Sequence, residues 1–228
     1  MALVFDLLVK GGPVMWPLLG LSIATVTIAV ERSIFWVRFL SREGRVVHDV
    51  LAAARYSLED AAEIAQGARS LPIGRFLAAP LQLRSPSPET FRLALEASGS
   101  QEFSLMRRGD KVLETIVAIA PLLGLLGTVT GLINTFGNLN IGGGGTAQSA
   151  SAAAAGIGEA LLTTAFGMVV AIFALVVFRL MVILQGQQFD YFATVGSRLE
   201  LIYRQVWYEP SLPENRDRAP IYPSGQRR

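Results

Sequence analysis

Between Glu114 and Glu159 the chain carries no Asp, Glu, Lys or Arg. That run is roughly twice as long as a membrane span, which takes about 20 apolar residues at a rise of about 1.5 Å each. Its middle, "GNLNIGGGGTAQSAS" at 137–151, is too polar and glycine-rich to cross lipid. The run therefore reads as one helix, a hairpin turn and the start of a second helix. Two further blocks are also free of charge, 11–30 and 160–178. Three transmembrane helices result, at 13–37, 114–137 and 153–180, and the fold class is an all-α integral membrane protein. A hydrophobic content of 51% in 228 residues and a mean hydropathy of +0.43 agree with that class.

Charge placement orients the spans. Arg32, Arg38, Arg42 and Arg45 follow the first helix, Arg107, Arg108 and Lys111 precede the second, and Arg179 ends the third. Lys10 is the single base before the first helix, and the hairpin has none. The excess of bases on cytoplasmic loops puts the N-terminus (1–12) and the hairpin (138–152) outside, with the intervening domain and the C-terminus in the cytoplasm. The first apolar run is too long for a cleaved signal peptide and lacks a small-x-small site before "ERSIFWVR". With no cysteine, disulfides and thiolate metal sites are excluded.

The cytoplasmic segments read as helical extensions. Residues 38–113 form a helical domain in which "SLED" at 57–60 fits a capping box, and "RSPSPET" offers Ser87 as a cap with Pro88 as the first helical residue. From there to Pro121 no proline intervenes, so one long helix is expected to run into the second span, loosened at Gly99 and Gly109. Residues 181–208 are expected to extend the third helix in the same way. Residues 209–228 have the proline-rich, charged composition of a disordered tail, solvated rather than resting its bases on anionic lipid, although membrane lipid is an expected partner of the spans.

On a helical wheel Ala120, Gly124, Gly127, Thr128, Gly131 and Thr135 share one face of the second span, spread over about 100°. Gly156, Ala160, Thr164, Gly167, Ala171 and Ala174 form a matching stripe on the third. Small-xxx-small faces let helix backbones approach closely in lipid. Two readings of the stripes stand: simple packing of the two helices, or a face that lines a passage. Thr128 and Thr164 each lie roughly 21–23 Å from their cytoplasmic charge markers, which puts them at one level. Glu159, about 30 Å from Arg179, lies one turn from Thr163. An ionisable group at that depth points to function, while an interfacial carboxylate favoured by the helix dipole is the plainer account. Candidate pathway residues are thus Thr128, Thr164, Glu159, Thr163 and Thr135. Gly124, Gly127, Gly131, Gly156, Ala160, Gly167 and Ala171 form the close-packing face.

No metal-ligand spacing, nucleophile–base set or phosphate loop appears, so neither an enzyme nor a cofactor is expected, and nucleic acid is not expected as a partner. "GGGG" at 142–145 lacks the Lys-Ser/Thr of a phosphate loop and reads as a flexible turn. His48, the one histidine, falls in the cytoplasmic domain, where a surface role is expected. Threonines with a glutamate can hand on protons, but no acid sits at mid-membrane, which points to a second chain as its source.

At "GGPVMWPLLGLSIATVTIAVER", "LETIVAIAPLLGLLGTVTGLINTF" and "GIGEALLTTAFGMVVAI", in this order and spacing, the sequence resembles the MotA/TolQ/ExbB proton-channel family, most closely its ExbB branch. The resemblance covers most of the chain through about residue 205. It implies a ring of five such subunits around the single transmembrane helices of two ExbD-like partners, which bring the missing aspartate. It also implies a bacterial inner-membrane location and coupling of the proton motive force, through a TonB-like protein, to energised transport across the outer membrane. By motif position, Thr128 and Thr164 correspond to the family's pore threonines and Glu159 to the glutamate before the second of them. Three spans argue against a MotA-type stator, which has four. A TolQ-like subunit acting on the envelope and a non-conducting membrane scaffold stay open as alternatives.

Overall fold

A computed structural model of the chain describes residues 12–40, 43–138 and 147–212. Residues 1–11, 41–42, 139–146 and 213–228, on which the expected outer N-terminus, most of the expected hairpin and most of the expected disordered tail fall, lie outside the described residues. Among the described residues seven α-helices follow in order: α1 (Met15–Leu40), α2 (Glu43–Ala53), α3 (Leu58–Gly67), α4 (Pro72–Leu81), α5 (Pro88–Met106), α6 (Asp110–Asn138) and α7 (Ala147–Ile202). A π-helical turn, Tyr203–Tyr208, and a 3-10 turn, Glu209–Ser211, close the series, and no strand occurs among the described residues. Helical stretches long and apolar enough to cross a membrane lie at Met15–Val37, within Pro88–Gly137 and within Ala153–Ser211.

Local sequence explains two helix starts and one break. Ser57 caps α3 by accepting from the Asp60 amide at 3.1 Å. The Ser57 amide is already bonded to the Ala53 carbonyl at 2.9 Å, so the returning half of a capping box has no donor left to serve. Ser87 caps α5 through the Thr90 amide at 3.2 Å, with Pro88 in the first turn. The single long helix expected from Pro88 into the second span is instead interrupted at 107–109. Gly109 there adopts a φ of +94°, a left-handed conformation that costs glycine nothing and ends the helical ladder. Gly99 does not loosen α5; it lies buried against Phe76. The helix of the third span begins at Ala147 and continues through Ile202.

The described residues divide into two compact units. One holds 12–34, 108–138 and 147–184, and the other holds 35–40, 43–107 and 185–212. In the first, Val14, Met15 and Leu18 of the α1 region join Leu113, Ile116 and Ala120 of α6 and Val170, Ala171 and Ala174 of α7 in one core. Leu122, Leu125, Val129, Ile133 and Phe136 of α6 stay exposed, as do Leu161, Val169, Ile172 and Val176 of α7. Apolar side chains turned outward around a small-residue seam suit a lipid solvent, which supplies no hydrophobic drive for helix association and leaves packing to decide it.

The second unit is built like a water-soluble domain. Phe76 packs at a tilt against Phe192 at 4.8 Å between ring centres, and Phe103 meets Phe192 at 5.3 Å. Phe91 lies flat on Tyr203 at 4.3 Å. The Tyr203 hydroxyl donates to the Pro86 carbonyl, and the Trp207 indole donates to the Ala54 carbonyl at 2.8 Å. Glu102, buried, receives the Arg75 guanidinium two-pronged at 2.7 and 2.5 Å. That pairing holds the Arg75 pKa above its ordinary value, against the opposing effect of burial.

Candidate functional site

The stripes of α6 and α7 meet in the first unit, and glycine sets how closely. A Cβ added at Gly167 would stand 2.6 Å from the Ala120 carbonyl oxygen. At Gly124 it would stand 3.0 Å from the Thr164 Cα, at Gly127 2.7 Å from the Thr163 Cβ, and at Gly131 2.9 Å from the Ala160 Cβ. At Gly156 it would collide with the Thr135 hydroxyl. A methyl at any of these positions would force its neighbour to move, so the two helices lie in close contact along several turns. Ala160 and Ala171 are buried in the same seam region.

The hydroxyls divide into two groups. Thr163 and Thr135 are 1% and 7% exposed. They donate to carbonyls of their own helices, Glu159 at 2.7 Å and Gly131 at 2.8 Å. Both lie inside the α6–α7 seam. Thr128 and Thr164 are only half-buried. Thr128 donates to the Leu125 carbonyl at 2.7 Å, whereas Thr164 crosses the seam to the Gly124 carbonyl at 2.8 Å. Each hydroxyl has one proton and two acceptor lone pairs. With the proton committed to a carbonyl, the lone pairs can accept from water or from a neutral carboxylic acid. Rotation about the Cα–Cβ bond frees the proton for a carboxylate.

The contacts also fix the register. Thr164 stands opposite Gly124, Thr163 opposite Gly127 and Ala160 opposite Gly131. Thr128 therefore falls about three residues, or about 4.5 Å, from the Thr164 level, on the side toward the 138–147 connection. Depth counted from terminal charges places the two threonines level because it treats both helices as starting at one plane. The same register brings Glu159 within about one turn of the Thr128 level.

Glu159 has a neighbour that sequence reading missed. A Cβ at Gly12 would overlap the Glu159 carboxylate. Gly12 has a φ of +69°, and its carbonyl accepts from the Met15 amide at 3.1 Å in the turn that opens α1. The Gly12-Pro13 pair marks a turn in sequence, but nothing local says that a carboxylate from 147 residues later would lie on it. Among the described residues no cluster of His, Asp and Glu could hold a metal ion.

Apolar helices joined through a glycine seam that carries hydroxyls and a carboxylate define a multi-pass helical membrane protein. The family profile described as "MotA/TolQ/ExbB proton channel family" matches residues 68–193, and the chain belongs to that family. It is 68% identical over 208 residues to an ExbB-like biopolymer transport protein, number 1, of Synechocystis sp., covering 91% of this chain and 82% of the other. It is 38% identical over 205 residues to ExbB-like protein 3 of the same organism, covering 90% and 97%. Similarity extends to the biopolymer transport protein ExbB of Salmonella typhimurium, at 36% identity over 205 residues, 84% of this chain and 78% of that one.

Proposed function

We propose that this chain is the channel-forming subunit of an ExbB–ExbD type motor in the bacterial inner membrane, coupling the proton motive force to TonB-dependent transport across the outer membrane. The observation that carries this reading is the α6–α7 seam within a chain of this family. The seam leaves Thr128, Thr164 and Glu159 half-buried, while Thr163 and Thr135 are spent on packing. Several copies arranged as a ring, a pentamer by resemblance to the family, present these groups to a central space. An ExbD-like single-span helix there brings an aspartate, and the threonine hydroxyls hydrate it and pass its proton on. A TonB-like protein receives the resulting motion. The chain spans the membrane three times, at 13–37, 114–137 and 153–180, with the N-terminus outside and the C-terminus in the cytoplasm, in line with its arginine distribution.

Copies of Glu159 sharing one space repel one another, so a ring does not carry all of them ionised together. The reading is tested by co-expressing the chain with a single-span partner encoded beside it, purifying the complex in detergent and measuring its mass. A ring with partner helices inside is the expected result. A stable ring that never retains the partner overturns the motor reading in favour of a scaffold.

A further inference from the structure

Where α7 leaves its apolar run, the sequence reads "QGQQ" at 185–188, and two of these amides are buried. The Gln185 side chain donates to the Met106 carbonyl at 3.3 Å. Gln188, 4% exposed, donates through Nε2 to Oε1 of Glu43 at 3.0 Å. Glu43 is the first residue of α2 and is 8% exposed.

The hydrogen-bond inventory of this pair is one proton short. An ionised carboxylate only accepts, and a glutamine amide carries two donor hydrogens and one acceptor oxygen. Here Oε2 of Glu43 and Oε1 of Gln188 are both buried acceptors without a donor among the described residues. Two buried acceptors left bare in one residue pair are costly. A single proton on Oε2 converts one of them into a donor, with the amide oxygen of Gln188 as its partner. The result is a two-point acid–amide pair in which every polar atom is used. Among the described residues no cation forms an ion pair with Glu43 to support its charge. The ionisable groups there are Arg45, His48 and Asp49 on α2, Arg55 in the turn that follows it, and Asp190, Tyr191 and Arg198 on α7. His48 is paired with Asp49 at 3.4 Å and exposed. The Tyr191 phenol is pushed up by burial first and by Glu43 second, with Arg198 opposing.

We propose that Glu43 is a proton-binding site, its carboxyl neutral at physiological pH and locked in an acid–amide pair with Gln188 that ties the start of α2 to α7. Burial raises the affinity of this carboxyl for its proton, and the Gln188 amide opposes that only in part. The folded state therefore holds the proton above the ordinary value of 4.5. The stabilisation is full below that value and is lost as pH rises through the raised one. The assignment rests on the second unit alone and does not depend on the channel reading.

Infrared spectra of the full-length protein in nanodiscs test it. Wild type at pH 7 should show the carbonyl stretch of a neutral carboxylic acid that Glu43→Gln removes and that Gln188→Leu shifts in frequency. Thermal unfolding should give a midpoint that falls with alkaline pH in wild type and less steeply in Glu43→Gln. If Glu43→Gln does not fold, the Gln188→Leu shift decides by itself. No neutral carboxyl band in wild type at pH 7, or a band unmoved by Gln188→Leu, overturns the proposal.

Discussion

The Thr164 hydroxyl of α7 reaches across to the Gly124 carbonyl of α6 at 2.8 Å, over a sequence separation of 40 residues. The bond exists because Gly124 has no side chain to keep the helices apart. One glycine thus sets both the distance between two membrane helices and the direction of a hydroxyl proposed for proton transfer. Interhelical bonds of this kind are worth only about 0.6 kcal/mol on average, so Thr164 matters more for where its oxygen sits than for stability.

Gly124→Ala places a methyl 3.0 Å from the Thr164 Cα, on backbone that cannot rotate away. Overpacking of this type costs about 1–3 kcal/mol, read as a lowered unfolding midpoint in detergent. Gly137→Ala, with nothing within 4 Å, should leave the midpoint unchanged. Equal effects from the two substitutions would show that the seam does not govern stability.

Replacing both Thr128 and Thr164 by valine keeps shape and removes the hydroxyls. Proton-driven transport by the complex should be abolished while its purified mass stays the same. Retained transport in the double variant excludes the threonines from the pathway.

Glu159→Gln retains the size of the side chain that lies on Gly12 and removes its charge. Proton flux in reconstituted vesicles should fall well below wild type, with complex formation little affected. An assembly defect with normal flux through the complexes that do form would make the glutamate structural.

Tyr203→Phe keeps the flat stacking on Phe91 and loses the hydrogen bond to the Pro86 carbonyl. The expected cost is about 0.5–1.5 kcal/mol. Tyr203→Ala, which also empties a buried site, should cost about 3–5 kcal/mol. Chemical unfolding followed by tryptophan fluorescence distinguishes the two.

Spans, small-residue stripes and the Ser57 and Ser87 caps were legible in the sequence, because each depends on residues within a few turns of one another. Apolar length, a repeat near 3.6 and a hydroxyl three residues before an orphan amide are one-dimensional signals. The break at 107–109 was half legible. Gly109 marked it, but Gly99 carried the same signal and turned out to face Phe76 in a continuous helix. A glycine relaxes a helix or tightens a contact according to what stands opposite, and sequence does not show what stands opposite.

Tertiary structure alone decided the pairings. The sequence determined that α6 and α7 each carry a face of small and hydroxyl residues. The register between them separated Thr128 from Thr164 by most of a turn and sent Thr163 and Thr135 into the seam. Sequence likewise placed Glu159 near a helix end, and Glu43 stands in it a few residues after the first apolar run. Only the packed chain put Gly12 beneath the first and Gln188 beside the second. The reason is physical: helix propensity and hydropathy are properties of neighbouring residues, whereas axial sliding and rotation of packed helices are set by the sum of many distant contacts. A proton-binding group takes its character from that sum.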